Sequence, residues 1–209
     1  MPRRGLHFTG GLILHVLNRG VRRMQLFATD ADYRAFLAAM AEGQAREGLS
    51  LLAYCVMPNH FHLVVWPKEH GQLVRFMWWF QATHSKRWHQ FRGSHGTGPV
   101  YQGRYKAIPV QDDHHFLTVC RYVERNPVRA NLVRLADRWS WSSLSQRGGN
   151  CNVPHLDPWP VLQPDNWSEL VNRPEGPDEI DRIRRCIKRS LPVGSDPWAR
   201  TKDPRRLFE

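Results

Sequence analysis

The spacing of apolar and polar positions changes several times along the 209-residue chain. Residues 11–18, Gly-Leu-Ile-Leu-His-Val-Leu-Asn, suit a first strand closed by Arg19-Gly20. Asp30 is placed to cap a helix with Tyr33, Phe36, Leu37, Met40 and Ala41 on one face and a stop at Gly48. Residues 49–56 return to an extended apolar run, Pro58-Asn59 marks a turn, and another strand begins at His60. Strands joined by so short a turn are antiparallel neighbours. The pattern predicts a second helix over 72–91, aromatic and then basic, and a loop over 93–99. It predicts a further strand over 100–110, with Tyr101, Gly103, Tyr105 and Ala107 on one face. Gln111-Asp112-Asp113 starts a helix that ends before Pro127, because the residue preceding proline is pushed out of the α region.

A cluster at Trp139-Ser140-Trp141-Ser142-Ser143 closes the compact part, and composition then shifts. Six of the fifteen prolines fall within 146–177, which reads as irregular, and 178–190 reads as a short basic helix. This divides the chain into a domain over 1–145 and a proline-rich, basic extension over 146–209. The extension is expected to wrap the domain or to contact nucleic acid. No internal repeat is evident.

Charge changes the picture most. Thirty Lys and Arg against nineteen Asp and Glu give a net charge of +11, which points to a polyanionic partner, nucleic acid first. The basic residues are scattered rather than ranged along one amphipathic helix, which argues against a membrane surface. No uninterrupted apolar run approaches the ~18 residues a membrane span needs. Arg3 and Arg4 precede an apolar patch at Leu12-Ile13-Leu14, but His15, Asn18 and Arg19 cut it too short for a signal peptide. Cys55, Cys120, Cys151 and Cys186 lie far apart with no C-x-x-C pair, so a disulfide frame and a zinc knuckle are not indicated. A cytoplasmic protein is expected. Aromatic residues interleaved with arginine, as at Phe76-Met77-Trp78-Trp79-Phe80 and Arg87-Trp88-His89, suit either base stacking or a buried helix face.

Candidate chemistry centres on His60-Phe61-His62. Alternation puts His60, His62 and Val64 on one face of their strand and Phe61, Leu63 and Val65 on the other. Two imidazoles spaced this way can reach one metal ion; a satisfied core or surface pair is the bland alternative. On the helix over 113–126, Phe116, Leu117, Cys120 and Val123 face the core, and His115, Thr118, Tyr122 and Asn126 form a polar line beside them. Tyr122 and Asn126 are one turn apart and can point into one cleft. An amide oxygen from Asn126 with two imidazoles leaves open positions on a divalent ion. Tyr122 beside it can serve as a nucleophile on a phosphodiester. Taken singly, Tyr122 also suits a half-buried structural role and Asn126 a C-cap.

The heptapeptide Met57-Pro58-Asn59-His60-Phe61-His62-Leu63 resembles the HUH motif (His, a bulky hydrophobic residue, His) of the single-tyrosine transposases. The run Arg121-Tyr122-Val123-Glu124-Arg125-Asn126-Pro127-Val128-Arg129-Ala130 resembles their tyrosine helix. Further likeness lies in His15-Val16-Leu17-Asn18-Arg19-Gly20, in Val100-Tyr101-Gln102-Gly103-Arg104-Tyr105-Lys106 and in Trp141-Ser142-Ser143, over roughly residues 8–145. Within that family the chain is most similar to the REP-associated tyrosine transposases, whose basic extension residues 184–195 resemble.

The resemblance implies an α+β fold, a central antiparallel sheet flanked by helices of ferredoxin-like character. It implies metal-dependent cleavage and rejoining of single-stranded DNA at hairpin-forming repeats (repetitive extragenic palindromes), through a 5′-phosphotyrosine. By position, His60 and His62 match the metal-binding histidines, Tyr122 the nucleophile and Asn126 the third ligand, where other branches carry glutamine. Mg²⁺ or Mn²⁺ is the implied cofactor. Arg19, Arg22, Arg23, Arg104 and Lys106 are candidates for phosphate contacts, and the protein is expected to act as monomer or homodimer. Two other classes compete: a repeat-binding repressor without chemistry, and a metal-dependent hydrolase that activates water. The first leaves His60, His62, Tyr122 and Asn126 without a joint reason; the second would leave DNA ends free of protein.

Overall fold

A computed structural model describes residues 10–150 and 153–203. Arg3, Arg4 and Cys151 therefore lie outside the described residues. The order is β1 (Ile13–Arg19), α1 (Asp30–Glu47), β2 (Ser50–Met57), β3 (His60–Trp66), α2 (Gln72–Arg92), β4 (Lys106–Val110) and α3 (His114–Glu124). There follow α4 (Asn126–Arg129), the one-turn α5 (Ser143–Ser145), α6 (Trp167–Asn172), α7 (Pro177–Arg189) and α8 (Asp196–Lys202). The strands form one antiparallel sheet in the order β2-β3-β1-β4. With helices joining β1 to β2 and β3 to β4, this is the split βαβ, ferredoxin-like arrangement.

Both faces of the sheet are covered, which is why all eight residues of β2 are buried. On one face α1 and α2 pack through Phe36, Met40, Phe76 and Phe80 against Phe61, Leu63 and Val65. On the other, α3 packs through Phe116, Val119, Cys120 and Val123 against Val64, Cys55 and Ile108. Side chains of β3 thus alternate as its sequence predicts, and His60 and His62 belong to the α3 face.

Segments after β4 close the sheet's edges. Trp141 accepts from the backbone N–H of Val56, and Asp157 exchanges bonds with Leu51, so both cover β2. Val193 bonds to Pro109 and Gln111 beside β4. An edge strand left bare presents unpaired N–H and C=O groups. The extension also fills the second core with Trp167, Val171, Ile183 and Val193.

Three local expectations need correction. The cap of α1 is Thr29, not Asp30: its hydroxyl accepts from Asp32 N–H while the Asp32 carboxylate accepts from Thr29 N–H, a reciprocal capping box. The strand predicted over 100–110 is regular only from Lys106, because Gly103 takes φ +139° and turns the chain out of extended alternation. Tyr101 keeps an isolated bridge to Gly20, and Tyr101, Tyr105 and Ala107 still pack on the α1–α2 face. The irregular stretch over 146–177 contains the helix α6, anchored by buried Trp167. Among the described residues, no helix is long and apolar enough to cross a membrane.

Candidate active site

Pairing register sets the histidine half of the site. His62 lies opposite Leu17 on β1 and Cys55 on β2, and His60 opposite Arg19 and Met57. His15 is paired with Val64, so it is the diagonal same-face neighbour of His62. Nε2 of His15 and Nδ1 of His62 share a hydrogen bond of 2.8 Å, and His15 is fully buried. Nδ1 of His60 donates to Oδ1 of Asn59 at 2.7 Å. Both rings are thereby turned with Nε2 as the nitrogen left for the cleft that they line.

Burial keeps these rings neutral. It pushes His60 down to about 4, helped by the nearby Arg19 charge. His62 is held well below the ordinary histidine range by burial first and then by His15, His60 and Arg129. His15 is lowered to about 3 by burial and by Arg129. A metal-binding imidazole must be unprotonated, and its other nitrogen is ordinarily tied to a neighbour. Both conditions are met at His60 and His62.

The tyrosine half comes from α3 and α4. The Tyr122 ring stands edge-on to His62 at 6.1 Å between centroids and to His15 at 6.3 Å. It is 8% exposed and lines the same cleft. The Arg129 guanidinium lies 4.0 Å from the Tyr122 ring centroid and donates to the Tyr122 carbonyl oxygen. Asn126 opens α4, with Pro127 in its first turn, where a missing N–H costs nothing. Its amide nitrogen is 3.4 Å from Nε2 of His60. A half-turn of the carboxamide exchanges that nitrogen for oxygen.

The cleft has a volume of about 820 Å³, and Arg19, Arg23, Arg104, Lys106 and Lys188 line it. Four of the five predicted phosphate-contact residues are therefore at the histidine–tyrosine cleft; Arg22 is exposed and does not line it. Lys106 donates to the carbonyl of Ile187 at the end of α7, which carries the extension to the rim.

Two members of the predicted polar line do not join. His115 is buried with Nδ1 2.8 Å from the Asp113 carboxylate, and Thr118 donates to the carbonyl of His114. Asp113, His114 and His115 form a separate group whose ligand atoms lie within 4.8 Å of one another. His15 and Arg129 are the residues near Tyr122 that sequence reasoning assigned no role. Alternation already puts His15 on the face of Leu17 and Arg19, and Arg129 follows Tyr122 by two helical turns. Either spacing is a usable signal once the register is known.

A family model described as "Transposase IS200 like" matches residues 9–126. The chain belongs to the IS200-like transposase family, whose members are enzymes. Among solved structures, a REP-associated tyrosine transposase bound to a REP hairpin aligns with a TM-score of 0.54 and 17% identity, over 78% of this chain and 92% of that one. That likeness is one of fold. A candidate transposase from Deinococcus radiodurans R1 aligns at 19% identity and a TM-score of 0.43, over 58% and 95%. No curated protein matches the chain in sequence.

Proposed function

We propose that the chain is a transposase of the REP-associated type, which nicks and rejoins single-stranded DNA at hairpin-forming repeats in the cytoplasm. The observation that carries this reading is the meeting of Tyr122 with His60 and His62 in one cationic cleft. The hairpin as partner rests on the REP hairpin bound by the protein of similar fold.

Nε2 of His60, Nε2 of His62 and the side-chain oxygen of Asn126 would hold Mg²⁺ or Mn²⁺. When bound, such an ion supplies positive charge that polarises a phosphodiester. Arg19, Arg23, Arg104 and Lys106 draw the DNA backbone into the cleft and make binding salt-dependent. The Tyr122 phenol oxygen attacks the phosphorus. The bond from phosphorus to the 3′ oxygen breaks as the bond to Tyr122 forms, the phenolic proton is released and the 3′ oxygen takes one up. A 3′-hydroxyl attacking the phosphotyrosine reverses the step, so no nucleotide cofactor is needed.

The test is a 3′-end-labelled DNA strand bearing an extragenic palindrome hairpin, incubated with the protein and Mn²⁺. A labelled covalent adduct is expected, lost in Tyr122→Phe while hairpin affinity stays within about twofold. Binding without any adduct from the unsubstituted protein would establish a non-catalytic repeat-binding protein instead. Free ends without adduct would establish a hydrolase.

A further inference from the structure

Three arginines follow one another at helical spacing along α3 and α4: Arg121, Arg125 and Arg129. All three are engaged by one short strip of the extension. Arg121 donates to the carbonyls of Arg173 (2.8 Å) and Pro174 (3.1 Å). Arg125 donates to the carbonyl of Val171 at 2.7 Å. Arg129 donates to the carboxylate of Glu175 at 2.7 Å, and the same oxygen lies 3.7 Å from Nε of Arg125. The Glu175 side chain has no exposed surface. Its other oxygen is buried without a hydrogen-bond partner.

Burying a carboxylate this way is a poor route to stability, since well-packed apolar residues do as well or better. Its effect is directional. The guanidinium that Glu175 holds is the one stacked on the nucleophile candidate, 4.0 Å from the Tyr122 ring centroid and bonded to the Tyr122 carbonyl. Arg129 is thus fixed at both ends, by the extension on one side and by the backbone and ring of Tyr122 on the other.

We infer that Glu175 is a positioning residue for Tyr122: through Arg129, the extension holds the phenol toward the histidine pair of its own chain. This rests on the reading of Tyr122 as nucleophile. The extension then belongs to the catalytic architecture, although neither it nor Glu175 touches the reacting atoms. A loosened guanidinium lets the ring drift, and a misplacement of about 1 Å costs on the order of 100-fold in rate.

The experiment uses full-length Glu175→Gln, Arg129→Lys and the double variant, with Mn²⁺ and the 3′-labelled hairpin strand. Glu175→Gln keeps the shape and removes the charge; Arg129→Lys keeps the charge and removes the planar stack. Two quantities are read: the single-turnover adduct rate at saturating DNA, and the hairpin Kd. The expected result is a rate lowered about 10- to 100-fold in each single variant with Kd within about twofold. The double variant should be no slower than the slower single one, because both act on one contact. Rates within about twofold of the parent overturn the inference, and so does a Kd that worsens in step with the rate. Should Glu175→Gln fail to fold, Arg129→Lys decides by the same criteria. An adduct from the parent with no loss in the variants refutes the positioning role alone. A parent that forms no adduct refutes the nucleophile and this inference together.

Discussion

The two halves of the cleft are held by different physics. His60 and His62 stand on β3 with β2 on one side and β1 on the other. Their backbone is tied by ladder bonds, and their rings by His15 and Asn59. Tyr122 and Asn126 stand on helices outside the sheet, held by polar contacts to residues far along the chain. Glu124, fully buried on α3, accepts from Ser143, Arg147 and Trp167, and the arginine face opposite is bound by residues 171–175. Rigidity on the histidine side is a property of the sheet. On the tyrosine side the extension adds polar ties to the apolar packing of α3 on the sheet, so perturbations should separate the halves.

The largest effect should come from acid, which attacks the histidine side. Burial lowers His15 to about 3 and His60 to about 4 and holds His62 well below its ordinary range, while in the unfolded chain all three titrate near 6.5. Below that pH the unfolded chain binds more protons than the folded one. Stability is therefore full above about pH 6.5 and falls as the pH drops toward 4. Metal-free protein followed by circular dichroism should unfold cooperatively between these limits; a flat melting temperature from pH 7 to pH 4 would contradict the assignment of neutral buried rings.

Next comes Glu124→Ala, which strikes the tyrosine side. It removes the acceptor shared by Arg147 and Trp167 and leaves a cation half-buried without its partner, at a cost of about 3–5 kcal/mol in chemical denaturation. A loss under about 1 kcal/mol would mean that α3 does not depend on the extension.

A smaller effect is expected at His15→Ala, where the ring of His62 loses its support. Mn²⁺ affinity measured by calorimetry should fall about 10- to 100-fold while the hairpin Kd measured without metal is unchanged. Unaltered Mn²⁺ affinity would remove His15 from the site.

How much was legible in the sequence divides along the same line. Strand alternation sufficed for His60 and His62, because β3 lies wholly inside the sheet and its period of two is undisturbed. One-turn spacing sufficed to join Tyr122 with Asn126. The partner of His62 was not legible, because His15 meets it only through the β1–β3 register. Spacing alone puts His115 in the polar line, whereas the Asp113 cap captures its ring. Alternation places Gly103 in a strand, whereas its φ takes the chain out of the ladder. Glu175 lies 46 residues beyond Arg129 in a stretch rich in proline, and no periodicity links the two.

The proposed metal site is one divalent cation held by His60, His62 and Asn126 beside Tyr122. Anomalous diffraction from crystals soaked in Mn²⁺ tests it most directly. A peak bound by Nε2 of His60 and Nε2 of His62 is expected in the cleft that Tyr122 lines. A peak at Asp113, His114 and His115 with none at the histidine pair would contradict it.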